Sequence, residues 1–511
     1  MRVQDLISKE FVCDSHILTL LGEREVCGIS SDSRTVSVNE LFFAISGAVF
    51  DAKQVVSEVV ARNVVAVVYE GERPRNVSKD APLIHVHDIR EALAYAAHCF
   101  YGKPSHSTIN IAITGTSGKT SVSWFLSHAM HALGQKTFLG GTLGYTTLAD
   151  DDNPARELTE LGNTSIDPIS VQRLLADAVA GGAVSSVFEA TSQGVVQSRM
   201  RYVAWDGAIF TNLSRDHLDL HDTMEEYEEA KATLFVRDVA SSPKQNRFAI
   251  INGDDAAGER LASRVRRECP EVRTIVFSSM NIEADGVLRD VVATKTGISF
   301  TLAKGGQEAI SIRSSSIGTH NVYNLACAVL ALVELGWSTY AIEKVMSEVP
   351  PVPGRLEHID GGKVPVYIDY AHKPDALLKV LEFLKPLVPD GRVICVFGCG
   401  GDRDAGKRSI MGQISAEHAD LSVVTSDNPR TEDPDTIIAD IVAGVSDALQ
   451  HRVIVEVDRR AAIHKAIAMA KEGDVVLVAG KGHEPYQEIQ GVKHPFHDGE
   501  VAREALDVLA L

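Results

Sequence analysis

The segment Ile111-Ala-Ile-Thr-Gly-Thr-Ser-Gly-Lys-Thr120 sets two glycines, a lysine and a hydroxyl directly after an apolar run. Gly115 and Gly118 let the backbone turn sharply and aim its N–H groups inward. Lys119 adds a point charge, and the Thr120 hydroxyl is a ligand for Mg2+. Thr116 and Ser117 fill the turn, and a helix predicted over 121–133 begins at Ser121 and presents its N-terminus to the same place. The chemistry is a cradle for nucleotide phosphates. A strict Walker A motif has glycine where this chain has Ile113, so the generic pattern is not met. Two further polar clusters follow apolar runs, Glu189-Ala-Thr-Ser-Gln-Gly194 and Thr211-Asn-Leu-Ser-Arg-Asp-His-Leu-Asp219. Ligands gather at the carboxyl ends of strands in open α/β sheets, which makes Glu189 and His217 candidate metal ligands, direct or through water. Taken singly, each also fits a helix cap or a surface group.

Such clusters need a sheet to carry them. Apolar β runs at 109–114, 186–190, 207–212, 248–252 and 274–277 alternate with helical stretches, the pattern of a mostly parallel sheet covered on both faces. A smaller α/β unit precedes it, with strands at 40–45 and 64–69 and a helix over 89–100. After the proline-rich Val349-Pro-Pro-Val-Pro-Gly354 the alternation resumes, with strands at 364–369, 392–397, 421–425, 453–457 and 475–479 and helices over 375–387 and 436–449. The fold class is therefore α/β in three domains: a small N-terminal α/β domain over 1–105, a central P-loop-type domain with a mostly parallel sheet over 106–348, and a C-terminal Rossmann-like domain over 349–511.

Composition narrows the class. With 511 residues, 45% of them hydrophobic, the chain is long enough for several cores. A formal charge of −19 argues against a general nucleic-acid or anionic-membrane surface, so anionic substrates must be met by local Arg, Lys and helix N-termini. No apolar run approaches a membrane span, and the first ten residues lack the apolar core of a signal peptide, which makes the cytoplasm the expected location. Seven dispersed cysteines, with only Cys395 and Cys399 close together, read as free thiols.

Together, Gly115-Thr-Ser-Gly-Lys-Thr120, the 211–219 block, Gly318-Thr-His-Asn-Val-Tyr-Asn324, Pro353-Gly-Arg-Leu-Glu357 and Asp369-Tyr-Ala-His-Lys-Pro374 resemble, in order, the blocks of the Mur ligases. These are the ATP-dependent amino-acid-adding enzymes of peptidoglycan synthesis, and the resemblance runs along essentially the whole chain. It accounts for the missing Walker glycine and implies Mg2+ as cofactor and ATP as co-substrate. It also implies that Asn321, Arg355, Asp369 and His372 lie at the adenine, ribose or phosphates, although Arg355 and His372 also fit purely structural roles. Ser31-Ser-Asp-Ser-Arg34 followed by Leu41-Phe-Phe-Ala-Ile-Ser-Gly47 is similar to the family's uridine-binding block, which places Ser31, Ser33 and the turn Ala48, Val49 and Phe50 near UDP. Asn163, Thr164, Ser165, Thr191, Gln197 and Arg199 look like contacts to the muramoyl dipeptide.

Read locally, Lys231 in Tyr227-Glu-Glu-Ala-Lys-Ala-Thr-Leu-Phe235 is a solvated lysine on an amphipathic helix. The resemblance implies instead a carbamylated lysine, whose anionic carbamate helps hold a second Mg2+. Lys119, Lys231 and His217 are then the catalytic set, and Thr120, Glu189, His217 and Lys231 the metal set. Asp427-Asn-Pro-Arg430 resembles the signature of members that add meso-diaminopimelate, with Arg430 paired to the carboxylate that lysine lacks. Arg403, Asp427, Asn428, Pro429, Gly480 and Glu484 look like the remaining amino-acid contacts. The implied partners are UDP-N-acetylmuramoyl-L-Ala-D-Glu, meso-diaminopimelate and ATP, with no nucleic acid and no membrane insertion, acting on a monomer. Two alternatives stay open: addition of L-lysine, disfavoured by Arg430, and a nucleotide-binding ATPase switch, which the phosphate loop alone would satisfy.

Overall fold

Short apolar runs become buried strands here because both faces of each are covered. The computed structural model describes residues 1–47, 50–148, 164–214, 221–305, 309–359, 361–362 and 364–510. A four-stranded parallel sheet joins β1 (Gly28–Ser30), β2 (Glu40–Phe43), β3 (Ala66–Glu70) and β4 (Leu83–Val86) in that order. Asp88 caps the helix Ile89–Phe100, accepting from the N–H groups of Arg90 and Glu91, and the helix buries Ile89, Ala92, Leu93, Ala96 and Ala97.

The second sheet uses β5 (Ile109–Thr114), β6 (Thr137–Gly141), β7 (Gly144–Thr147), β8 (Ser185–Glu189), β9 (Gly207–Phe210), β10 (Phe248–Asn252), β11 (Arg273–Ser278), β12 (Gly286–Thr294), β13 (Gly297–Lys304) and β14 (Ile310–Ser314). Its order is β14-β13-β12-β11-β10-β9-β5-β8-β6-β7. The central pairs are parallel, and β7 runs antiparallel to β6. β5 lies between β8 and β9, so the chain leaves it in both directions, and the crevice at its carboxyl end is the topological switch point. The third sheet uses β15 (Glu357–Ile359), β16 (Val366–Asp369), β17 (Val393–Phe397), β18 (Leu421–Val424), β19 (Val453–Val455) and β20 (Val475–Ala479), ordered β15-β16-β20-β17-β18-β19 and parallel except for β15. An antiparallel pair, β21 (Tyr486–Ile489) and β22 (Val492–Pro495), follows. The architecture is thus the expected mostly parallel α/β.

By internal contacts the chain forms two compact units. The first is Met1–Arg289, Thr301–Ser311 and Tyr323–Met346; the second is Asp290–Phe300, Ile312–Val322 and Ser347–Leu511. No helix among the described residues is long and apolar enough to cross a membrane. All seven cysteines are free; Cys395 and Cys399 lie in the core, where burial pushes both thiols up to about 12. Core packing is the role the structure gives them.

Two predicted helices end early. The helix expected over 436–449 is Pro434–Val442; a Cβ at Gly444 would stand 1.9 Å from the carbonyl oxygen of Ser409, an approach that ties this backbone to a neighbouring helix. The helix expected over 375–387 is Pro374–Leu384, followed by a 3-10 turn Lys385–Leu387 in which Pro386 offers no N–H.

Two buried histidines give the fold an acid sensitivity. His98, beside His106 and Lys103, and His128, bonded through Nδ1 to the Trp124 carbonyl at 2.8 Å, are each held down to about 4, chiefly by burial. In the unfolded chain each titrates near 6.5, so from there down to about pH 4 the unfolded state binds more protons and stability falls. Each ring is expected to contribute on the order of 2–3 kcal/mol above pH 6.5 that is lost as pH falls through 4. Urea midpoints measured at pH 7 and pH 4.5 should separate, and a His98→Asn/His128→Asn variant should show a shallower slope.

Candidate active site

The phosphate loop is built by its two glycines. Gly115 has φ +145° and Gly118 φ +87°; a Cβ at 118 would stand 2.4 Å from Asn324 Oδ1. Gly118 is also the N-cap, so the helix starts at Lys119 rather than 121 and runs Lys119–Ala132, bringing its first N–H groups into the loop itself. The strand end after β9 holds the loop from the side: Thr116 N donates to Asn212 O at 2.9 Å, Ser117 N to Asn212 Oδ1 at 2.9 Å, and Thr211 Oγ1 to Ser117 O at 2.6 Å. Lys119 Nζ donates to the carbonyls of Gly115 at 2.9 Å and Thr116 at 3.0 Å, which keeps its charge over the turn.

The structure brings Thr120 and Glu189 together. Ile113 of β5 is in register with Glu189 of β8, and Thr120 Oγ1 donates to Glu189 Oε2 at 3.0 Å, with both residues buried. Thr142, in the Gly140-Gly-Thr-Leu-Gly144 turn, donates its N–H to Glu189 Oε1 at 2.7 Å and its hydroxyl to Oε2 at 3.1 Å. That residue was missed, although the glycine-rich turn after a strand was a readable signal. His217 lies outside the described residues, as do Ala48, Val49 and Asn163. Among the described residues no group of three or more His, Cys, Asp or Glu side chains is placed to share a metal ion.

Lys231 corrects the solvated reading. It is 1% exposed; its Nζ donates to Gly115 O at 2.9 Å and lies 4.3 Å over the Tyr227 ring, whose hydroxyl is 3.3 Å from Thr116 Oγ1. The acidic face of the same helix is turned to other partners, Glu228 to Arg260 and Glu229 to Arg264. The lysine therefore belongs to the loop's own environment.

A cavity of about 280 Å3 is lined by Ser31, Ile45, Arg90, Ile166, Gln197 and Arg199, among others. Gln197 Oε1 accepts from Arg199 Nε at 3.1 Å and Nη2 at 2.8 Å, while Nη1 donates to Ser165 O at 2.6 Å. Burial, and then the charge of Arg90, hold the Arg199 guanidinium below its ordinary value. Ser165 Oγ donates to Glu189 O at 3.0 Å and accepts from Thr191 Oγ1 at 3.1 Å, and Thr164 Oγ1 is 3.1 Å from Thr142 Oγ1, so these hydroxyls continue from the Glu189 cluster. Ser33 accepts at its carbonyl from Arg62, and Phe50 is exposed. Arg90 was missed: an arginine in the first turn of a helix carries no local signal of a site.

In the second unit Asp369 ends β16, accepting from the N–H groups of Leu356 at 2.7 Å and Ala371 at 2.8 Å; burial raises its carboxyl while Arg355 opposes the shift. Arg355 lies 4.6 Å over the Tyr370 ring. His372 Nδ1 is 2.8 Å from Tyr370 O, and desolvation, followed by the Lys407 charge, pushes its ring down to about 4. Asn321 is buried and donates to Ile317 O at 2.7 Å.

The diaminopimelate candidates come from three strand ends: Arg403 after β17, 427–430 after β18, and Gly480 and Glu484 after β20. Asn428 Nδ2 donates to Glu484 Oε2 at 2.8 Å, and the buried Lys481 donates to the same oxygen at 3.0 Å and to Asn428 Oδ1 at 3.1 Å. Arg430 donates to Gly401 O at 2.7 Å and faces Glu488 at 3.3 Å. Pro429 is buried. Gly480 has φ +116°, and a Cβ there would stand 2.7 Å from Asp427 Oδ2. Arg403 is exposed.

Residues 113–332 match the Mur ligase middle domain, and residues 354–482 match the Mur ligase, glutamate ligase domain. The UDP-N-acetylmuramoyl-L-alanyl-D-glutamate--2,6-diaminopimelate ligase of Chromobacterium violaceum is 40% identical over 94% of this chain and 94% of its own length. The enzyme of the same name from Bacillus cereus is 38% identical over the same shares. A solved structure of a ligase of that name superposes with a TM-score of 0.72 and 32% identity over 100% of this chain and 99% of that one. Agreement of this depth along nearly the full length, with both domains in order, means that the chain belongs to the Mur ligase family.

Proposed function

We propose that this chain is the ATP-dependent ligase that joins meso-diaminopimelate to the D-glutamyl γ-carboxylate of UDP-N-acetylmuramoyl-L-Ala-D-Glu in peptidoglycan biosynthesis. The observation that carries the reading is the near-full-length similarity to enzymes of that name. The proposed division of labour follows the domains read from the sequence: 1–105 for UDP, 106–348 for ATP, 349–511 for the amino acid.

The γ-carboxylate attacks the γ-phosphorus of ATP; the bond from phosphorus to the bridging oxygen breaks, and ADP leaves with that electron pair. The amine then attacks the acyl carbon of the acyl phosphate, forming the amide and releasing phosphate, while its proton passes to a base. Lys119, fixed over the loop by two carbonyls, meets the transferring phosphoryl charge together with the helix N-terminus. Arg199 and Gln197 orient the dipeptide, each rigid through the other. The buried Thr120 hydroxyl and Glu189 carboxylate form an oxygen donor set that fits Mg2+. They would hold it with His217, a carbamate on Lys231 would help hold a second Mg2+, and the ions would neutralise phosphate charge. On the amino-acid side, Arg430 is assigned the distal carboxylate and Glu484 the distal ammonium.

Phosphate release by purified protein tests the reading, with ATP, Mg2+ and UDP-N-acetylmuramoyl-L-Ala-D-Glu present and meso-diaminopimelate, L-lysine or no amino acid added. Release that requires both the nucleotide peptide and diaminopimelate is expected. Preference for lysine would overturn the role of Arg430, and release indifferent to both substrates would return the chain to the ATPase class.

A further inference from the structure

Arg459 and Asp498 form an ion pair in the second unit in which neither side chain reaches solvent. Arg459 opens the helix Arg459–Met469 after β19, and Asp498 opens the helix Asp498–Ala510. The pairing is a two-pronged fork: Nε to Oδ1 at 2.7 Å and Nη2 to Oδ2 at 2.7 Å. The guanidinium also reaches two strand ends, with Nη1 donating to Ser426 O at 3.3 Å and Nη2 to Ala479 O at 3.1 Å.

Those two carbonyls directly precede the segments assigned to the amino acid, Asp427–Arg430 and Gly480–Glu484. Their strands, β18 and β20, are not neighbours, because β17 runs between them, so no ladder of backbone hydrogen bonds sets one end against the other. Arg459 bridges that gap. Its Nη1 also stands 4.0 Å from Asp427 Oδ2, a buried oxygen with no hydrogen-bond partner, while Oδ1 accepts the N–H of Asn428 at 2.7 Å. A desolvated ion pair adds little stability over a well-packed apolar pair of the same volume, so stability alone does not account for this one. The guanidinium is thus the cation set against that buried carboxylate oxygen, which would otherwise be costly to bury.

We infer that Arg459, locked by Asp498, is a positioning residue for amino-acid selection: it fixes the 427–430 and 480–484 segments, Asp427 included, against each other. The inference rests on the proposed function, which assigns both segments to diaminopimelate.

The test is a set of steady-state constants for all three substrates, measured on wild type, Arg459→Lys and the paired Arg459→Met/Asp498→Leu replacement. The paired variant removes both members of the fully buried pair and is the one that keeps the fold if the single change does not; circular dichroism melts verify each. The KM for diaminopimelate is expected to rise about tenfold or more in both, with kcat at saturating diaminopimelate falling much less and the KM values for ATP and the nucleotide peptide within about twofold of wild type. A folded variant with unchanged KM for diaminopimelate, or with all three KM values rising together, overturns the positioning role. Wild type assayed alongside separates the two readings: if it adds no diaminopimelate, the functional proposal itself falls.

Discussion

Replacing Lys231 by alanine is expected to cut kcat by roughly a thousandfold or more, about 4 kcal/mol of lost transition-state stabilisation, with little change in the KM for diaminopimelate. The side chain is buried against the phosphate loop, bonded to Gly115 O and stacked on Tyr227. Addition of CO2 to its free amine gives a carbamate and releases a proton, turning a cation beside the loop into an anion. That anion would stand with Glu189 as an oxygen donor for a hard cation, which an ammonium cannot do. The carbamate reading makes a second, sharper prediction: millimolar formate or acetate should restore part of the activity of Lys231→Ala by placing a free carboxylate in the vacated space. Intact-mass measurement at neutral pH should show the added CO2 on wild type and its loss in acid. An unimpaired alanine variant overturns the role of the lysine; an impaired one with no carboxylate rescue and no added mass overturns the carbamate and leaves the ammonium as the working species.

The phosphate loop was legible because its signal is local. Two glycines, a lysine and a hydroxyl after an apolar strand dictate one geometry, and the structure differs only in starting the helix two residues earlier, at Lys119. The core strands were legible for a related reason: β20 is an unbroken apolar run of five residues, and β5 and β10 carry apolar runs of three and four, Ile111–Ile113 and Phe248–Ile251, as suits strands buried on both faces. Lys231 was illegible locally because its burial is made by Gly115, far away in sequence, and by Arg260 and Arg264, which draw the helix's glutamates to the opposite side. In β12 five of nine residues are exposed, and in β13 half-buried positions alternate with buried ones, so both lack the buried apolar run that marked the others. Arg459 is the extreme case. In sequence it is one of two adjacent arginines at a helix start; Arg460 pairs with Glu504 at the surface, and only the fold separates their environments.

Arg430→Ala is expected to raise the KM for meso-diaminopimelate by about two to three orders of magnitude, roughly 3–4 kcal/mol, while the KM for ATP stays within about twofold. The guanidinium is held in place before substrate arrives: Nη1 donates to Gly401 O at 2.7 Å and Nε faces Glu488 at 3.3 Å. The backbone is clamped as well, with the Arg430 N–H donating to Glu488 O at 3.0 Å and the Gln490 N–H donating to Arg430 O at 2.6 Å. That clamp holds residue 430 at φ +52°, a conformation costing about 1–2 kcal/mol for any residue with a Cβ. Alanine keeps the Cβ and pays the same cost, so its effect isolates the guanidinium, whereas glycine would relax the backbone and blur the comparison. Arg430→Lys should recover only part of the loss, because an ammonium cannot present the two parallel donors that a carboxylate accepts. Lysine as substrate offers no carboxylate to this group, so any activity with L-lysine should be nearly indifferent to Arg430→Ala, and the preference for diaminopimelate should collapse from one side only. Equal losses with ATP and diaminopimelate would make Arg430 a structural anchor between Gly401 and Glu488 instead of the residue that selects the amino acid.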